Sequence, residues 1–131
     1  RRLRRLRRLG ADPLVIKQTR VDAAHGLVNA MDAAIAAAPD LKIPSLVLYG
    51  TRDELIPRQP TFDMIRALPG NVGHRPAVYR SGWHLLLRDL KAKIVLDDII
   101  AWIADPAAPL PSGADHAAAG AISQAKLRAE N

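Results

Sequence analysis

The sequence predicts an α/β fold: a strand–helix–strand–helix run from a parallel sheet that this chain does not complete. Three observations carry that expectation. Residues 43–49 (IPSLVLY) form a short, nearly continuous apolar run rich in β-formers, with Pro44 tolerated only at its start. Residues 60–68 then show helical spacing in Phe62, Ile65 and Leu68 and close with Pro69-Gly70. Residues 76–80 (PAVYR) read as a second short strand. A crossover through a helix makes the two strands parallel. A strand buried on both faces needs neighbours along both edges, so the pair is expected to belong to a larger sheet with strands upstream.

The flanking elements follow in order. Residues 20–38 carry Val21, Ala24, Val28, Met31, Ile35 and Ala38 at the spacing of an amphipathic helix, with Asp22, Asn29 and Asp32 on other faces and Pro39 as the stop. Residues 89–104 read as a second such helix, with Ile94, Val95, Ile99, Trp102 and Ile103 on one side, ending at Asp105-Pro106. Four segments result: an Arg/Leu-rich tail at 1–11, a helical stretch at 12–38, the α/β core at 39–105, and a flexible Pro/Ala/Gly-rich tail at 106–131 with one weak helix near its end.

At 131 residues the chain is at most one modest domain. It contains no cysteine, which excludes disulfides and thiolate catalysis. No apolar run approaches the roughly 18–20 residues that span a bilayer, and no signal peptide is recognisable. The chain begins with Arg1 and lacks an initiator Met, which suggests an incomplete sequence. The net charge of +6 is matched by six arginines within residues 1–9, so the basic character belongs to the tail and not to a domain face. Leu3, Leu6 and Leu9 recur beside these arginines, so the tail is either an adhesive for phosphate or anionic lipid or a solvated helix end. No aromatic residue interleaves with the arginines, and nucleic acid is not expected as a partner.

The residues that could carry chemistry stand beyond the two strands. In open α/β sheets functional groups gather past the carboxyl ends of the strands. Asp53 follows the first strand and His84 the second, so both leave the sheet on one edge. An acid bonded to a histidine fixes its tautomer and stabilises the imidazolium. Glu54 is the competitor for the role of Asp53. Asp97 and Asp98 are adjacent on a helix and do not share a face, so they are not expected to form a paired-carboxylate site. His25, His74 and His116 lack metal-ligand spacing, and no metal or cofactor is expected. Gly70-Asn71-Val72-Gly73 reads as a turn.

Two strings resemble a known family. Leu46-Val47-Leu48-Tyr49-Gly50-Thr51-Arg52-Asp53-Glu54-Leu55-Ile56-Pro57 is similar to the acid-bearing turn of α/β-hydrolases. Ser81-Gly82-Trp83-His84-Leu85-Leu86-Leu87-Arg88-Asp89 is similar to their histidine turn. The resemblance is to the lysophospholipase/monoacylglycerol-lipase branch, catalogued with the serine aminopeptidase S33 domain, and covers residues 12–104. It implies that Asp53 is the triad acid, that His84 is the general base, and that residues 12–38 are the end of a cap and its return helix. Leu27, Met31 and Leu55 would then border the acyl chain. The family's nucleophile lies in G-x-S-x-G. None of Ser45, Ser81, Ser112 and Ser123 has that setting, so the nucleophile is expected upstream, in the missing N-terminal half. The expectation is the C-terminal part of a cytoplasmic serine hydrolase that cleaves carboxylic esters of lipids, with at most peripheral membrane contact. The chain alone is expected to be inactive. The alternative is a non-catalytic or decayed fragment whose arginine tail binds nucleic acid or anionic membrane.

Overall fold

A computed structural model of the chain describes residues 7, 10–15 and 18–129. The arginine tail, Arg7 apart, lies outside the described residues, and with it the expected adhesion to phosphate or lipid. The chain divides into two compact units, Arg1–Ala34 and Ile35–Asn131. No helix among the described residues is long and apolar enough to cross a membrane.

The helix predicted at 20–38 forms as α1, Val21–Ala37. Its opening turn is held by Arg20, whose guanidinium donates to both oxygens of Asp22 at 3.0 and 2.8 Å. The apolar stripe read from its spacing is exposed at Val21, Ala24 and Val28, half-buried at Met31 and Ile35, and buried at Ala38, just past the helix end. Val21 is 86% exposed, Val28 is 54% exposed, and α1 buries no residue. Helical periodicity and burial are separable: the spacing forms the helix whether or not its face is covered.

In the second unit β1 (Leu46–Gly50) and β2 (Arg75–Tyr79) form a parallel two-stranded sheet, with Leu46 opposite Arg75 and Gly50 opposite Tyr79. The crossover between them contains α2, Arg58–Ala67. This helix ends because Leu68 precedes Pro69 and takes an extended conformation. The strands bury both faces, as their apolar runs require. On one face Tyr49 and Val78 pack with Phe62 and Ile65 of α2, and the Tyr49 and Phe62 rings meet edge-on at 5.6 Å. On the other, Leu46, Leu48 and Ala77 pack with Trp102, Leu110 and Ala114.

α3, Ala92–Ala104, starts three residues later than predicted, because a 3₁₀ turn at Leu86–Arg88 and an extended Asp89 precede it. Its inward stripe also differs. Val95 is buried and Trp102 joins the core, but Ile94 and Ile103 are 44% and 68% exposed, and Asp98 is completely buried. The stripe is 95, 98, 102, the i, i+3, i+7 rule with an acid in the middle.

The largest correction concerns residues 106–131. The weak helix expected near their end is α4, Ala114–Ala129, and in place of a flexible tail it packs along β2. Gly113 supplies the left-handed turn (φ +70°) that starts it. Leu110, Ala114 and Ala118 are buried, the first two on one face of the sheet and Ala118 on the other, so this segment crosses the edge of β2 that β1 leaves open. Alanine at positions 114, 118 and 121 lets the helix approach closely, and the same small side chains hid the apolar period. Arg75 clamps the segment. Its guanidinium donates to Asp115 at 3.0 Å and to the carbonyls of Pro106 and Ala107 at 3.0 and 3.1 Å.

Two outcomes follow from this packing. Ala118→Leu forces methylenes into a closed site and is expected to cost about 1–3 kcal/mol in urea unfolding. Burial pushes the Asp115 carboxyl up, but the Leu110 N–H, the Arg75 guanidinium and the first-turn N–H of His116 outweigh it and hold it below its ordinary value of 3.8. Its stabilisation is therefore present above that value and lost as pH falls through the lowered one. Asp115→Asn is expected to lower the melting temperature at neutral pH and to flatten the acid limb of the melting-temperature profile.

Candidate functional site

The strand register places both strand exits side by side. A single carbonyl, that of Tyr79, accepts the N–H groups of Thr51 and Gly82, each at 3.0 Å. The Arg52 N–H then donates to the Gly82 carbonyl at 2.9 Å, and the Asp53 N–H to the Gly50 carbonyl at 3.0 Å. The two loops touch through glycines. A Cβ on Gly50 would stand 2.5 Å from the Gly82 oxygen and 2.6 Å from its carbonyl carbon. A Cβ on Gly82 would stand 3.2 Å from the Gly50 Cα and strike the Leu86 side chain. Neither residue is needed for an unusual φ, so the requirement is close backbone approach.

These loops bring Asp53 and His84 together although they lie 31 residues apart. His84 Nδ1–H donates to Asp53 Oδ2 at 2.9 Å. The other oxygen of Asp53 accepts the N–H groups of Leu55 and Ile56, both at 2.9 Å, in an Asx turn. The Asp53 side chain is 7% exposed, whereas that of His84 is 39% exposed. Burial pushes the Asp53 carboxyl up, but hydrogen bonds from Ile56, His84 and Leu55 outweigh it and hold the group below its ordinary range. A buried carboxylate that stays ionised fixes the Nδ1–H tautomer and leaves Nε2 as the basic nitrogen on the accessible side. The loops are further tied by the Arg52 guanidinium, 5.7 Å over the Trp83 ring, and by the Tyr49 hydroxyl, which donates to the Ile56 carbonyl at 3.2 Å.

Beneath the site lies a support that the sequence reading passed over. The Tyr79 hydroxyl donates to Asp98 Oδ2 at 2.8 Å, and the Ser112 N–H to Asp98 Oδ1 at 3.0 Å. The Ser112 hydroxyl also donates to Oδ2. Burial, and the hydrogen bond to Asp98, push the Tyr79 phenol well above its ordinary value, so it remains a donor. Asp98 thus holds the residue whose carbonyl joins the two loops. Its signal was available as an acid in phase with Val95 and Trp102.

The other candidates have settings of their own. Glu54 is exposed beside Asp53 and makes no bond to His84. Leu27 and Met31 stand on α1 in the first unit, Leu27 62% exposed and Met31 half-buried, while Leu55 in the Asp53 loop is 69% exposed. Among the described residues no serine hydrogen-bonds His84: Ser45 bonds the Ile43 carbonyl, Ser81 is met by Lys91, and Ser112 serves Asp98. His25 pairs with Asn29 and His74 with the Leu41 carbonyl. No group of three or more His, Cys, Asp or Glu capable of holding a metal occurs among the described residues. Asp97 faces outward and is paired with Lys93, unlike its neighbour.

Gly50→Ala should separate the loops, since the obstructing atoms are backbone and cannot rotate away. The expected result is loss of the downfield Nδ1 proton resonance of His84 in NMR, with the core resonances of Phe62 and Val95 retained.

A family model described as serine aminopeptidase, S33 (Hydrolase_4) matches residues 1–91, which include both loops and both strands. No solved structure matches the chain. The family implies an α/β-hydrolase fold, and the parallel pair flanked by helices is consistent with part of such a sheet. With more than half of its residues matched, the chain belongs to the serine aminopeptidase S33 family of hydrolases.

Proposed function

We propose that Asp53 and His84 are the acid and the general base of a serine hydrolase acting on carboxylic esters of lipids, with monoacylglycerols or lysophospholipids as the substrate class. The observation that carries this reading is the 2.9 Å bond between a buried, ionised Asp53 and the Nδ1 of a partly exposed His84, in a hydrolase-family chain. In this mechanism His84 Nε2 takes the proton of a serine hydroxyl as it attacks the acyl carbonyl. It then returns that proton to the leaving alcohol, and Asp53 stabilises the transient imidazolium. The serine belongs to a G-x-S-x-G turn, which these 131 residues do not contain, so the chain acts together with the half of a hydrolase that carries it. Support for an acyl substrate comes from the apolar side chains beside the pair: Leu55, Leu85 and Leu87 are 69%, 52% and 52% exposed.

The chain alone is expected to hydrolyse p-nitrophenyl butyrate no faster than buffer. Fused in frame behind an S33 half that carries G-x-S-x-G, it should hydrolyse a monoacylglycerol, and His84→Ala should lower kcat by about 10³-fold or more. Hydrolysis indifferent to His84→Ala would overturn the assignment. Faster cleavage of an aminoacyl anilide than of the monoacylglycerol would move the substrate class to peptides.

A further inference from the structure

The second unit contains a cavity of about 330 Å³, within the usual range for a small-molecule site. It lies behind the His84 loop, and neither Asp53 nor His84 lines it. Its inner wall is apolar, formed by Val78, Leu86, Val95 and Ala117. At its polar edge the Lys91 ammonium donates to the Ser81 hydroxyl at 2.8 Å. No carboxylate of the described residues pairs with Lys91, in contrast to Lys93, which is bonded to Asp97 at 2.7 Å. The Ser81 hydroxyl accepts from Lys91 and has no acceptor of its own among the described residues, so its proton is available.

The remaining polar groups of the lining narrow the ligand further. Ser112 also borders the cavity, but its hydroxyl is committed to Asp98 and accepts the Ala114 N–H. Arg80 adds a positive charge to the rim and Asp89 a negative one, whose Oδ1 accepts the Leu90 N–H. Two cations and one anion leave a net single positive charge. That balance suits a monoanion and disfavours a doubly charged phosphate. Two convergent donors match the two oxygens of a carboxylate. An apolar interior with room for roughly ten waters calls for a hydrocarbon body of several carbons.

We propose that this cavity binds a medium-chain carboxylate, its head on Lys91 Nζ and Ser81 Oγ and its chain against Val78, Leu86 and Val95. Ser81 directly precedes Gly82, whose carbonyl holds the Arg52 N–H, so occupancy bears on the loop that presents His84. If the chain acts on lipid esters, the ligand is of the same class as its acyl product, but the site does not depend on that activity.

The test is NMR titration of the full chain with sodium octanoate and with 1-octanol, both below their aggregation thresholds. Saturable shifts centred on the amides of Ser81, Gly82, Gly113 and Ala114 are expected for octanoate. Lys91→Gln removes a surface charge without touching the core and should weaken octanoate at least five-fold while leaving octanol unchanged. Ala117→Leu should weaken both by filling the cavity. The absence of saturable shifts, equal octanoate affinity in Lys91→Gln, or shifts centred on Asp53 and His84 would each overturn the proposal. Because the readout is binding, its outcome is independent of whether the fused hydrolase turns over.

Discussion

The contact between Gly50 and Gly82 is the constraint on which the rest of this molecule depends. Two backbones approach so closely there that a single methyl group would sit 2.5 Å from a carbonyl oxygen. This approach lets the Tyr79 carbonyl serve two strand exits, brings Arg52 onto the Gly82 carbonyl, and sets the separation at which Asp53 meets His84. The parallel register does the coarse positioning by placing Gly50 opposite Tyr79, and the glycines do the fine positioning. The stricter of the two is Gly50, where the obstructing atoms are backbone; at Gly82 the nearest is the end of the Leu86 side chain.

The support under that contact is polar where a core is ordinarily apolar. Asp98 is a fully buried carboxylate with hydrogen bonds from a phenol, a backbone N–H and a hydroxyl. Such a group contributes little net stability over a well-packed apolar residue, but its partners become costly orphans if it is removed. What it supplies is direction. The Tyr79 hydroxyl is anchored on Asp98 while its carbonyl serves both loops. The N-terminal turn of α4 is tied to the same acid through Ser112, so the end of the chain and the strand exits share one anchor.

How much of this was legible depended on side-chain size and on motif. The strands at Leu46–Gly50 and Arg75–Tyr79 were readable because Val, Leu and Tyr in short apolar runs have few other uses. The meeting of Asp53 and His84 was readable because parallel strands must exit on one edge. α4 was legible only as a weak helix: its inward stripe is made of Ala114, Ala118 and the half-buried Ala121, which carry too little apolar surface to show that the helix packs on the sheet. Asp97 and Asp98 lie on different faces, as adjacent helical positions must, but the structural part Asp98 plays was not legible from that comparison. Its proper companions were Val95 and Trp102, one turn away on either side. Val21 and Val28 erred in the other direction, since a correct helical period said nothing of what would cover it.

The position of α4 on β2 also orders events during synthesis. Ala77 and Val78 leave the ribosome long before Leu110, Ala114 and Ala118, the residues that bury them. Until α4 emerges, β1 is the one strand among the described residues that flanks β2. A nascent chain at that stage presents an unpaired strand of apolar residues to its surroundings. The alanines of the last helix thus have a second role as a late-arriving guard, and a pause in translation ahead of residue 110 would lengthen the interval in which a chaperone has to stand in for them.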